Sequence, residues 1–549
     1  MKKLCAFVLC LLLLAAAILP AASAANTGYT ITNPYAGVNW KTVGQYKTAL
    51  HSHTNASDGD HTLKESMQRH VETGFDIVAV TDHGIVDPGF VSGPEKPFVK
   101  QALNLLHRSE GEITYLGTNG KFSNGTAYRV YSKNGDEYLK AGGRTILHLP
   151  YGIEQNAVSV NAHVTSWFAD FHDNTISGYE DALRGVEKAG GLCVINHPGE
   201  YTKARYELHS ADAYNEQNPS FAYHINKFAS YLERYDTCIG IDMNSKGDSR
   251  TRFDRILWDK LLQRFAPKGK TVYGIASSDA HQLDVIDTGF SVLLLPSLTA
   301  ADAKAALQAG RFFAGSHCLG NPDELYEIAA SLKKLYGTSD TVYRRVRAAA
   351  DRMTQKVRDI ENGKLDADED IGITYSVLDK DGYTTVKAFP SVSSIKVSDR
   401  AQTITIQSKN AMLVRMISNG KTVATKRADK AVFDLDDYAG KLGDYVRFEM
   451  FGAGGMLYTQ PFLLNAERNA EKNAKQPVTK GLFLDLGTFD FLIAEVHKWL
   501  RIAGGDLCRQ AEAPTDAAAE TRRATRERQI PIFLSLFLAF CGGFGYDRI

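Results

Sequence analysis

Phe75-Asp76-Ile77-Val78-Ala79-Val80-Thr81 is an almost unbroken apolar run that stops abruptly at Asp82-His83. A short run of this kind, rich in β-branched residues and bounded by polar ones, reads as a buried strand of a parallel sheet. An amphipathic helix pattern over about Thr62 to Thr73 precedes it. The same grammar returns twice. Gly191-Leu192-Cys193-Val194-Ile195 follows a helix ending near Lys188 and leads into Asn196-His197-Pro198. Thr271-Val272-Tyr273-Gly274-Ile275-Ala276 follows another helix and leads into Ser278-Asp279-Ala280-His281. This repetition, from about Tyr46 to Ser316, predicts an α/β fold with a parallel sheet or βα barrel. In such folds the C-terminal ends of the strands build the active site. The polar residues after each run therefore point to a site by position as well as by type.

The rest of the chain bounds the answer. A length of 549 residues predicts two or three domains. Lys plus Arg and Asp plus Glu are 63 each, so no global field favours nucleic acid. Lys2-Lys3, the apolar stretch Leu4 to Leu19 and Ala22-Ser23-Ala24 have the form of a secretory signal peptide over residues 1–24. Export to the cell envelope, periplasm or exterior is the corresponding expectation. Cys193, Cys238, Cys318, Cys508 and Cys541 remain after the signal. They are scattered and never in C-x-x-C spacing, which fits neither a disulfide framework nor a thiolate zinc site.

Outside the βα region, which spans residues 40–320, the character changes. Gly117 to Val160, with hairpin-like alternation near Thr126, reads as an insertion on the barrel face, and Tyr201 to Tyr235 is rich in aromatics. Residues 321–365 read as a helical connector. Residues 371–465 read as a small β-sandwich, on the alternation in Thr403-Ile404-Thr405-Ile406 and the Asn419-Gly420 hairpin signal. Residues 466–549 form a tail whose apolar end, Ile530 to Phe540, is shorter than a membrane span requires. Either the β module or this tail is expected to associate with the cell envelope.

The chemistry concentrates in six short motifs. His51-Ser52-His53 places two imidazoles two residues apart, so on an extended backbone both face the same side. Then come Ser57-Asp58-Gly59, Thr81-Asp82-His83, Gly111-Glu112-Ile113-Thr114, Asn196-His197-Pro198-Gly199 and Ser278-Asp279-Ala280-His281. In this order they resemble the PHP (polymerase and histidinol phosphatase) family of metal-dependent phosphoesterases over about Tyr46 to Ser316. The resemblance implies a distorted (βα)7 barrel with two or three divalent ions at its rim. It implies one ion on His51, His53, Glu112 and Asp279, and a second sharing Glu112 with His163 and His197. A third would lie on Asp58, His83 and His281. His148 and His172 compete with His163, while Asp82 and Asn244 would orient ligands by hydrogen bonds. Asp82, His163 and His197 are the catalytic candidates.

Imidazole and carboxylate without thiolate suit zinc, manganese or iron. Such ions activate water and neutralise a phosphoryl group in flight. No P-loop or serine and cysteine nucleophile pattern competes with this reading. The expected activity is an exported phosphoesterase acting on a small-molecule phosphomonoester or phosphodiester. A carboxyl or carbamate ester hydrolase and a non-catalytic surface-binding module are the alternatives.

Overall fold

The capping box that starts the first helix is written in Thr62-Leu63-Lys64-Glu65. The Thr62 hydroxyl accepts from Glu65 N at 3.2 Å, and the Glu65 carboxylate accepts from Thr62 N at 2.8 Å. The helix Leu63–Glu72 buries Leu63, Met67 and His70 on one face and delivers the chain to the strand Ile77–Val78. The computed structural model describes residues 28–87, 89–91, 114–156, 162–172, 178–366, 375–376 and 388–464. The signal segment, Glu112, Cys508, Cys541 and the tail lie outside them. None of the described helices is long and apolar enough to cross a membrane.

Two parallel triplets of strands carry the fold. Gly44–Ala49, Ile77–Val78 and Arg144–His148 are neighbours in one sheet. Leu192–Ile195, Cys238–Asn244 and Tyr273–Ala276 are neighbours in a second. Val164–Trp167 pairs antiparallel with Leu192–Ile195 and with Ile153–Gln155, which completes the second sheet. The expected barrel is therefore not one continuous ladder. The sheets are stitched at the rim by single bridges, Ser52 to Ala280 and His83 to Glu154. On the other side, the Ser291 hydroxyl bonds both backbone groups of Ala276, at 3.1 and 3.3 Å, where a strand-to-strand ladder would otherwise run.

The segment expected as a surface insertion contains the parallel strand Arg144–His148. Three antiparallel strands, Asn119–Lys121, Ala127–Lys133 and Asp136–Ala141, run into it as successive hairpins. Gly142 and Gly143, both at positive φ (57° and 79°), make the last turn. The hairpin pattern thus masked a strand of the parallel triplet. Gly152 then brings the next strand hard against the first sheet. A Cβ there would lie 2.2 Å from Val80 O, so no other residue lets these backbones meet.

The C-terminal β region is a sandwich, but it does not stand apart. Ser391–Ser398, Thr403–Lys409 and Val432–Asp434 form one small sheet. Leu413–Ser418, Tyr445–Gly452 and Gly455–Thr459 continue the large sheet, because Gly455–Thr459 pairs with Phe312–Ser316 of the barrel region. Ile404, Ile406 and Phe433 on one side meet Met416, Phe448 and Met450 on the other in a shared core that also takes Tyr35 and Phe313. Helices Pro322–Tyr336 and Thr341–Glu361 bury Leu325, Ile328, Val346 and Met353 in the main core.

A buried ionic network joins these parts. Arg447 forks onto Asp259 at 2.6 and 2.9 Å and reaches Glu449 at 2.5 Å. Arg415 pairs with Glu449 and Glu324. Arg255 joins Glu324 at 2.6 Å to Asp248 at 2.8 Å, in the loop after Cys238–Asn244. Removing one member strands buried charge on the others. Arg447→Met is expected to cost about 3–5 kcal/mol of unfolding free energy, measured by urea titration. Burial opposes the charge on Glu449, but Arg415 and Arg447 hold its carboxyl down at about 2. A depressed carboxylate stabilises the fold above its unfolded value and loses that contribution as pH falls through the folded value. Glu449→Gln should therefore flatten the decline of the wild-type melting temperature between about pH 4.5 and 2, where the carboxylate titrates.

Candidate metal centre

His51 and His53 lie just past the end of Gly44–Ala49, where Ser52 is held from both sides. Thr81 N donates to Ser52 O at 2.9 Å, and His53 N donates to Ala280 O at 2.9 Å. Three loops that are distant in sequence, carrying His51 and His53, His83, and Asp279 and His281, are thereby locked together at one rim. His197 follows Leu192–Ile195 in the same way. His163 comes from the antiparallel strand, so its position at the start of Val164–Trp167 lies beside the ends of the parallel strands. Asn196 N donates to His163 O at 3.1 Å. Of the competitors, His148 is engaged with Asp87 at 3.0 Å, and His172 belongs to none of the donor groups.

The centre of the site is Glu154, a residue the motifs did not mark. Its carboxylate oxygens lie 3.0–3.2 Å from ring nitrogens of His51, His53, His83, His163 and His197. Asn196 Nδ2 donates to it at 2.7 Å and fixes its orientation. Glu154 is the carboxylate that the described donors share, and Glu112, expected in that role, lies outside the described residues. A lone carboxylate in the short segment Ile153–Gln155, right after Gly152, is the one signal the sequence offered for it.

The donors fall into three groups whose ligand atoms lie within 4.8 Å of one another: His51, Glu154, His197 and Asp279; His53, Asp58, His83 and His281; and His83, Glu154 and His163. Asp58, His83 and His281 come together as expected, joined by His53. His197 keeps company with His51 and Asp279, whereas the resemblance paired it with His163. Glu154 and His83 each serve two groups.

Asp82 does not face this cluster. It is spent on three hydrogen bonds, from Thr54 N and Thr54 Oγ1 at 2.7 Å and from Ser57 Oγ at 2.6 Å. Those bonds shape the turn that presents Asp58, and Ser57 lies 3.3 Å from His53 Nδ1. Of its two expected roles, orienting and catalytic, Asp82 takes the orienting one, since its carboxylate is engaged by the turn and belongs to none of the donor groups. Asn244 accepts from Arg255 at 2.8 Å and orients the following loop, not a ligand. Glu200 and Lys246 were missed by the motifs. The carboxylate of Glu200 lies 3.5 Å from His197 Nδ1, and Lys246 Nζ pairs with Asp279.

The residues fit divalent cations. His51 Nε2 and His53 Nε2 face each other at 3.0 Å, and the same two nitrogens face Asp279 Oδ1 at 3.1–3.3 Å. His83 Nδ1, His163 Nδ1 and both Asp279 oxygens are buried without a hydrogen bond of good geometry. Ring nitrogens and carboxylate oxygens crowded this closely are costly in a protein interior unless cations sit among them. Burial opposes the charge on Glu154, yet His51, His163 and His83 hold its carboxyl well below the usual carboxylate range. The same holds for Asp279, where Lys246, His51 and His197 outweigh burial. His197 and Asp279 also carry positive φ (21° and 48°), a backbone cost that is tolerated where the surroundings dictate the conformation.

No family model matches the chain. No curated protein matches it either. Among solved structures it is similar to a two-domain protein from Bacteroides vulgatus containing a predicted PHP-like metal-dependent phosphoesterase. The identity is 13%, the TM-score 0.31, and the match covers 78% of this chain and 88% of that one. So low a superposition score carries nothing across by itself, and the weight rests on the donor geometry of this chain.

Proposed function

We propose that the protein is a metal-dependent phosphoesterase, exported from the cytoplasm, that hydrolyses a phosphomonoester or phosphodiester. The observation that carries this reading is the convergence of six imidazoles and three carboxylates in three overlapping donor groups around Glu154. Two or three divalent ions held there, zinc, manganese or iron, would supply a water of lowered pKa and neutralise phosphoryl charge. Glu154 and His83, shared between groups, would set the spacing of neighbouring ions. Hydrogen bonds from Asn196 to Glu154 and to Asp82 from its turn hold the ligands in place before any substrate arrives.

The site is open to solvent where Asp58 and His281 lie. His281 and Asp58 have side chains 27% and 22% exposed, while His51, Glu154 and Asp279 are at 0–1%. A substrate would approach over Asp58 and His281 and meet the innermost ligands from above. A binding-only module needs no such complete set, and every donor group here holds at least three ligands.

Metal-loaded protein should hydrolyse p-nitrophenyl phosphate or its bis-ester and lose the activity on chelation. His51→Ala and Asp279→Ala should each lower kcat/KM by about a thousandfold or more, because each removes a ligand the ions need. Activity that survives both chelation and these substitutions would sink the proposal. Glu154→Gln, with one bridging charge removed, should retain the fold by circular dichroism. Metal analysis should then find fewer ions per chain than in wild type.

A further inference from the structure

Cys193 and Cys238, far apart in the chain, meet in the second sheet. They are register partners on the parallel strands Leu192–Ile195 and Cys238–Asn244. Cys193 N donates to Thr237 O at 2.9 Å, and the Thr237 hydroxyl donates to Gly191 O at 2.6 Å, so the pairing is pinned beside both cysteines. Neighbouring strands lie about 4.8 Å apart. A disulfide needs Cα atoms about 4.4–6.8 Å apart, so the strand spacing already suits one.

The side chains also share a face. Both cysteines enter the core that holds Leu183 and Val186 of the helix Tyr179–Lys188 and Phe228 and Tyr231 of the helix Pro219–Arg234. Their strand neighbours Leu192, Val194 and Ile239 enter a different core. The Cys193 thiol is within bonding reach of the Cys238 side chain. The remaining sulfur contacts are to backbone carbonyls, Thr237 O at 3.6 Å for Cys193 and Gly240 O at 3.8 Å for Cys238. Both thiols are free in the structure, and neither belongs to a donor group of the metal centre.

Burial decides when such a pair can react. Cys193 is 0% and Cys238 5% exposed. Burial pushes the Cys193 thiol well up, and the Cys238 thiol beside it adds to the effect. The thiolate is the nucleophile in disulfide exchange, so the finished fold holds a poor attacker in a place no oxidant enters. While the strands are still assembling, both thiols are open to solvent, and strand pairing raises the effective concentration of one at the other.

We propose that Cys193 and Cys238 close a cross-strand disulfide as the second sheet forms. The two thiols give up two protons and two electrons, and one S–S bond forms between them. The oxidant is a low-molecular-weight disulfide, whose own S–S bond breaks as it takes up those electrons and protons and leaves as two thiols. The bond ties the strand that leads to His197 to the strand that leads to Lys246. Its occurrence in the cell rests on the export reading, because oxidising compartments preserve disulfides. The capacity to form it does not.

The full chain, unfolded in urea with reductant, is refolded by dilution into reduced and oxidised glutathione. The folded fraction is then denatured, alkylated and mapped by mass spectrometry. A cross-linked peptide joining Cys193 to Cys238 is expected, with Cys318 alkylated. Both cysteines alkylated, either one carrying glutathione, or either one joined to a different cysteine overturns the proposal. Native protein given oxidised glutathione without urea should form the link at least about tenfold more slowly, and equal rates overturn the order of events. Should the chain not refold, native protein held in oxidised glutathione at urea concentrations just below the transition gives the same peptide readout through local opening. The urea midpoint of the linked chain should fall by about 0.5–1 M on reduction, and Cys193→Ala should show no such fall. A fall that persists in Cys193→Ala overturns the pairing. A link that forms in glutathione but is missing from protein taken from cells overturns export and leaves the site standing.

Discussion

A carboxylate sealed from water must be surrounded by positive charge or strong donors, and Glu154 obeys that constraint more completely than any other group at the site. Five imidazoles and the Asn196 amide converge on its two oxygens. Imidazoles crowded this closely cannot all carry protons, because like charges at such distances repel strongly in a medium of low polarisability. Divalent ions resolve the conflict, since they satisfy the carboxylate and the imidazole lone pairs together. The loops at the rim follow from this demand. Each brings one or two donors to within reach of Glu154, and bridges such as Ser52 to Ala280 and His83 to Glu154 fix how far they reach.

The surrounding architecture serves rigidity at that point. The parallel triplets end at the rim, and a single antiparallel strand turns His163 towards it. Behind the rim, the ionic network of Arg255, Glu324, Arg415, Glu449 and Arg447 ties the Asp248 loop to the helical pair and to the C-terminal strands. That connection gives the β region a physical task. It buttresses the loop that carries Lys246, and it does so through sheet pairing and buried charge rather than through a flexible joint. The described part of the chain, all within residues 28–464, accordingly lies in one compact unit.

Much of the site was legible before any coordinates. His83, His197, Asp279 and His281 follow apolar runs, which mark the rim of an α/β fold where they end in polar residues, and His51 and His53 stand two residues apart at the end of a strand. His163 was legible with more difficulty, because its strand runs the other way and its histidine precedes the apolar stretch. Glu154 was not, for a physical reason. It sits inside a strand too short to show a period, after a hairpin pattern that flows unbroken into Arg144–His148. Asp82 carried two expectations, orienting and catalytic, because an aspartate beside a ligand histidine looks reactive, and only its three hydrogen-bond donors show that it is occupied in holding a turn.

The amino-acid sequence by itself determined the alternation of helix and buried strand, the donor types and the loops on which most of them ride. These are local properties, set by hydrophobic period, capping and residue chemistry, and they survive without knowledge of neighbours. Only the tertiary structure decided that Glu154 lies among the histidines, how the histidines divide into groups, that Lys246 faces Asp279 and that the C-terminal strands extend the large sheet. Each of those depends on which backbones meet across long stretches of chain, as Gly152 meets Val80 and Gly455–Thr459 meets Phe312–Ser316. Such meetings are fixed by the packing of the whole core, and no short window of sequence contains them.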